Sequence, residues 1–131
     1  MRIMTMKPTP YVYRGTVISN YDGDTLIAML DLGMGIKMRA VCRLLGLDAP
    51  EIRGGSESSR AAAKAAKQRL QELVSAPEDS LVFHSTAKPD KYGRLLVSIW
   101  NGDMCVNDTL LVEGHARPYD GGTKQTFEEA P

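Results

Sequence analysis

The sequence predicts an α+β fold dominated by strands. It reads as a closed barrel of five strands, with one long helix between strands 3 and 4 and a short helix after strand 5. Three observations carry this. Residues 36–44 alternate apolar and polar side chains, the period-2 signature of a half-buried strand. Residues 57–75 switch to helical spacing. Asp, Gly and Pro cut the rest of the chain into short stretches rich in β-branched and aromatic residues. The chain has 131 residues, the size of one domain. Apolar residues make up 43% and charged residues 24%, which excludes a disordered, collagen-like or coiled-coil chain. No apolar run approaches the roughly 18 residues that a spanning helix needs.

Residues 1–10 carry Met1, Met4, Met6, Pro8 and Pro10 and read as a flexible leader. They hold no apolar run of the secretory-signal kind, and the sequence assigns no location. Tyr11 to Tyr21 is a first strand, and Asp22-Gly23-Asp24 a tight turn. Thr25 to Leu32 is a second strand, followed by a hairpin turn at Gly33-Met34-Gly35. In the third strand, Ile36 to Leu47, Ile36, Met38, Ala40, Cys42 and Leu44 form an apolar face. Lys37, Arg39 and Arg43 lie on the other, so Arg43 points away from the core side. Pro50 ends that strand. Ser56 is the N-cap of the long helix. Ala62, Ala66, Leu70 and Leu73 form its apolar face, and Arg60, Lys64, Lys67, Gln68 and Gln71 a solvated one. Ser80 to Ala87 and Arg94 to Trp100 are strands 4 and 5, and Val106 to Glu113 is the short helix stopped by Gly114. This order is that of a barrel of the OB type. Residues 11–119 form the domain, and 120–131 a loosely packed tail or short helix.

Sixteen basic residues cancel sixteen acidic ones, so nucleic-acid binding would need a local patch. Cys42 and Cys105 read as reduced thiols, without the spacing of a disulfide framework or metal site.

The chemistry-bearing groups fall in a few short segments. Asp24 and Asp48, at the ends of neighbouring strands, could share a hard divalent cation through oxygen. Glu51, fixed just past Pro50, suits a base that orients water. Arg43 and Arg94 are planar donors that could grip one phosphate in bidentate fashion. Taken singly, each has a plainer reading: a turn former, a solvated loop glutamate, a surface cation.

Their joint occurrence is more specific. DGDT at 22–25, RLLGLDAPE at 43–51 and DKYGR at 90–94 closely resemble the staphylococcal nuclease (thermonuclease) family. The resemblance extends over roughly residues 11–119, with the motifs in the same order. It implies that calcium is held by the Asp24 and Asp48 carboxylates and the Ala49 backbone carbonyl, with Asp22 supporting them. Threonine is common where Ala49 stands, and a carbonyl ligand survives that change. Arg43 and Arg94 would grip phosphate and Glu51 would be catalytic. Lys91 and Tyr92 would contact a neighbouring phosphate, and Tyr119 would line the nucleotide pocket. The implied reaction is phosphodiester hydrolysis of DNA and RNA at the P–O5′ bond, leaving 3′-phosphates. Single-stranded or frayed substrate is expected, cut by a monomer away from any membrane. Asn107 and Gly114 resemble structural positions. His84 and His115 match nothing catalytic, and Trp100 and Cys105 read as core. Against the family pattern, the loop 52–56 is short and the C-terminal helix is truncated after Phe127. The alternative is a catalytically silent binding module on the same barrel. The presence of Asp24, Arg43, Asp48, Glu51 and Arg94 together favours the enzyme.

Overall fold

The computed structural model describes residues 9–51 and 55–119. The first eight residues of the expected leader, the loop centre 52–54 and the expected tail 120–131 lie outside the described residues. In chain order the elements are β1 (Val12–Asn20), β2 (Thr25–Gly33), β3 (Ile36–Leu44), β4 (Leu47–Asp48), α1 (Glu57–Leu73), β5 (Leu81–Ser85), β6 (Leu95–Asn101), β7 (Met104–Cys105), α2 (Val106–Val112) and β8 (Arg117–Pro118).

Strands β1, β2, β3, β5 and β6 form the five-stranded barrel. Antiparallel pairings run β3-β2-β1-β5-β6, and a parallel pairing of β3 with β6 closes the ring. That closure pairs Cys42 with Leu95, Arg43 with Leu96 and Leu44 with Val97, and removes free sheet edges there. The interior holds Leu26, Leu30, Leu44, Phe83, Val97 and Ile99, capped by Leu70 of α1 and Leu110 of α2. At the β2–β3 hairpin, Gly33, Met34 and Gly35 all take positive φ, which explains glycines on both sides of one strained Met.

The helices start and stop as the sequence indicates. The Ser56 hydroxyl accepts from the Ser59 N–H at 3.2 Å, and Gly114 follows α2 with φ 79°. The buried face of α1 is Ala63, Ala66, Leu70 and Leu73. Ala62, expected on that face, is exposed, because the 3-4-3 spacing that meets the barrel starts one residue later. Asn107 makes the backbone bonds expected of it. Its Oδ1 accepts from the Ile99 N–H at 3.0 Å, and its Nδ2 donates to the Leu45 and Val97 carbonyls at 3.0 and 3.1 Å. It ties α2 to the point where β3 and β6 close the barrel.

The structure corrects three further readings. The apolar face of β3 is buried only from Ala40 onward, and Ile36 and Met38 are exposed. The first half of β3 pairs with β2 alone, since β6 joins only at Cys42, and it stands out as a hairpin arm. Trp100 is not core. It alternates with buried Ile99, faces outward opposite Val82 and is 40% exposed. The third strand does not run unbroken to Leu47. Gly46, at φ 83°, breaks it, and Leu47-Asp48 form a separate two-residue ladder with Arg117-Pro118. Cys42 is buried, Cys105 half-buried, and both thiols are free, as expected.

Candidate active site

The break at Gly46 and the new ladder build the first half of the site. Antiparallel pairing sets Thr25 opposite Arg43, so Asp24 stands at the mouth of β2 beside β3. The β4–β8 ladder then brings Asp48 back over the same end, opposite Arg117, and the Tyr119 N–H donates to the Gly46 carbonyl at 3.0 Å.

Asp24, Arg43 and Asp48 are 6%, 9% and 5% exposed. Two carboxylates so removed from water require a compensating charge. Arg43 supplies it. Its Nη2 lies 3.0 Å from Asp48 Oδ1 and 3.6 Å from Asp24 Oδ2. Its Nη1 donates to the Leu47 carbonyl at 3.1 Å and the Leu44 carbonyl at 3.4 Å. The Tyr119 ring covers the guanidinium, with Cζ 5.4 Å from the ring centroid, within cation–π range. Arg43 does lie on the face opposite Cys42 and Leu44. Unlike Lys37 and Arg39 on that face, it is sealed from solvent.

Asp24 is fixed independently. Its Oδ1 accepts from the Thr25 hydroxyl and its Oδ2 from the Ala49 N–H, both at 2.9 Å. Gly23 makes room for this packing. A Cβ there would stand 2.8 Å from both Ala49 Cβ and Ala66 Cβ. Asp22 closes the turn, its Oδ1 accepting from the Asp24 and Thr25 N–H groups at 2.9 Å each. Burial, with the hydrogen bond and charge of Asp24 adding to it, pushes the Asp22 carboxyl up to about 6.

The second half is the turn between β5 and β6. Asp90 Oδ1 accepts from the Tyr92 and Arg94 N–H groups at 2.9 Å each, and Asp90 Oδ2 from Arg94 Nε at 2.8 Å. Burial acts to raise the Asp90 carboxyl, but the two backbone N–H groups and the Arg94 guanidinium outweigh it and hold it below its ordinary value. Tyr92 is exposed, with Lys91 Nζ and Arg94 Cζ each 5.2 Å from its ring centroid. Leu96 is opposite Arg43, and Arg94 lies two residues earlier. Arg94 thus enters β6 at the end where β3 and β6 close the barrel.

Asp22, Asp24, Arg43, Asp48, Ala49 and Tyr119 thus form one cluster, and Lys91, Tyr92 and Arg94 a second. Glu51 is exposed, three residues past Asp48. The sequence reading gives Asp90 no role, although its spacing of four from Arg94 is visible there. A furrow of about 510 Å³ lies along α1 beside Lys64, Lys67, Gln68, Gln71, Glu72 and Ser75. It includes none of the carboxylate or arginine candidates.

The donor set fits a hard divalent cation. The two Asp side chains and the Ala49 carbonyl are all oxygen donors. Among the described residues no group of three or more His, Cys, Asp or Glu side chains gathers, so such a site has few charged ligands.

The model of the staphylococcal nuclease homologue family matches residues 41–130. The chain belongs to this family. Among curated members it is 32% identical over 106 residues to endonuclease YncB of Bacillus subtilis (strain 168), covering 79% of this chain and 48% of that protein. It is 34% identical over 96 residues to the thermonuclease of Staphylococcus intermedius, covering 73% and 54%. It is 35% identical over 85 residues to the SPbeta prophage-derived endonuclease YokF of Bacillus subtilis (strain 168), covering 63% and 29%. The chain spans about half the length of the first and second of these relatives, and less of the third. The family match includes Arg43, Asp48, Glu51 and Arg94, while Asp24 and its turn lie before it.

Proposed function

We propose that this chain is a calcium-dependent, sequence-nonspecific nuclease. It hydrolyses DNA and RNA at the P–O5′ bond and leaves 3′-phosphates. The observation that carries this reading is the pair of buried carboxylates, Asp24 and Asp48, spanned by Arg43 in a member of a nuclease family.

Asp24 and Asp48, with the Ala49 carbonyl, would hold the calcium, which when bound supplies Lewis-acid polarisation of a phosphoryl oxygen. Arg43 and Arg94 bind the phosphate and stabilise charge on its oxygens in the transition state. Asp90 occupies Nε of Arg94, and neither Nη of Arg94 has a hydrogen-bond partner among the described residues. Those two groups are the donors left for a phosphate. Glu51, exposed three residues past Asp48, orients the attacking water. Tyr92, exposed and flanked by Lys91 and Arg94, offers a stacking surface with cations for the next phosphate, which suits unpaired bases. Among the described residues no recognition helix for a groove is apparent, which fits weak sequence preference.

The test is cleavage of fluorescent single-stranded DNA in millimolar calcium or excess chelator, beside Glu51→Ser. Calcium-dependent cutting that is lost in the variant supports the reading. Binding without cutting would favour the silent barrel module instead.

A further inference from the structure

We propose that Arg43 is the resident counter-ion of the calcium site, so that it competes with the metal and sets how weakly the site binds. This rests on the reading that Asp24 and Asp48 hold calcium.

The guanidinium already pairs with both carboxylates that would hold the cation. Its Nη2 is 3.0 Å from Asp48 Oδ1 and 3.6 Å from Asp24 Oδ2. Arg43 is held there from its other sides by the Leu44 and Leu47 carbonyls and by the Tyr119 ring. It is 9% exposed, so water screens little of its charge. A divalent cation entering between the carboxylates would meet a fixed positive charge already paired with both. It must displace the guanidinium from Asp48 or bind against its repulsion.

The Asp24 side chain and the Asp48 backbone are placed without Arg43. Asp24 is fixed by the Thr25 hydroxyl and the Ala49 N–H, and the Asp48 backbone by its ladder with Arg117. Removing the guanidinium therefore removes the competitor and leaves the Asp24 carboxylate and the Asp48 backbone in place. Besides binding phosphate, Arg43 thereby has two roles toward the metal: it balances the carboxylates when calcium is absent, and it holds calcium affinity down when calcium is present.

The test is calcium titration by calorimetry, with melting in calcium and in chelator, on the intact chain without nucleic acid. Arg43→Met is expected to tighten calcium binding by about tenfold, within the usual range of coupling between two sites. Arg43→Lys, which keeps the charge, should bind like the parent chain. In chelator Arg43→Met should melt below the parent, and calcium should raise its melting temperature by more. Arg43→Gln, which retains a side-chain donor, gives the same comparison should the Met variant not fold in chelator. Equal or weaker calcium binding in the neutral variants would overturn the proposal and leave the calcium site standing. Calcium uptake that Asp48→Asn leaves unchanged, or no uptake by the parent, would remove the calcium reading and this proposal with it.

Discussion

The Asp90 carboxylate clamps Arg94 through two hydrogen bonds, from its N–H at 2.9 Å and its Nε at 2.8 Å, and accepts a third from the Tyr92 N–H of the same turn. The carboxylate thus fixes both the turn and the side chain that follows it. Asp90→Asn keeps an acceptor for the turn and loses the charge that orients the guanidinium. It should lower kcat/KM on single-stranded DNA by about tenfold, the low end of what removing an outer partner costs a functional group. Steady-state cleavage checks this, with an unchanged melting temperature showing that the fold is intact.

Arg43→Ala and Arg94→Ala should each slow cleavage by at least about 100-fold, the scale of losing one preorganised donor to a developing charge. Single-turnover rates on a labelled oligonucleotide measure this, and a loss under about tenfold for either would remove it from the transition state.

Asp22 makes stability depend on pH. Its folded carboxyl titrates at about 6 against 3.8 for the free group, so the unfolded chain ionises first as pH rises. Stability from this residue is full below pH 3.8 and is lost as pH climbs to about 6. Asp22→Asn keeps the acceptor for the Asp24 and Thr25 N–H groups and removes the charge. In chelator it should be more stable than the parent by about 1–2 kcal/mol at pH 8 and nearly equal to it at pH 4. Urea melts at the two pH values decide this.

Gly23→Ala places a methyl 2.8 Å from both Ala49 and Ala66, neither of which is a flexible side-chain end. Overpacking of this kind costs about 1–3 kcal/mol. Because Ala49 is one of the contacts, the variant should also weaken calcium binding, measured by titration beside the melt.

Asn107→Ala leaves the Leu45 and Val97 carbonyls and the Ile99 N–H without their side-chain partner at the barrel closure. The Val97 carbonyl keeps the Leu45 N–H at 2.8 Å, so the Ile99 N–H and the Leu45 carbonyl are the groups stranded, and a loss of about 1–3 kcal/mol is expected. Denaturant midpoints measure it, and Asn107→Asp should recover only the bond to Ile99.

The sequence by itself determined the five-stranded barrel with two helices, because turn residues and side-chain periodicity are local properties of the chain. It also marked Asp24, Arg43, Asp48, Glu51 and Arg94, because their residue types cluster in short motifs. Tertiary structure decided what alternation cannot express. Ile36 and Met38 share the inward parity of Cys42, yet they are exposed, since burial depends on whether β6 is alongside. Arg43 shares the parity of exposed Lys37, yet it is sealed, because Asp48 returns over it through a ladder with residues some seventy positions later in the chain. A contact between segments so far apart leaves no periodic trace in either. The electrostatic state of the site, two buried carboxylates sharing one guanidinium, exists only once that ladder has formed.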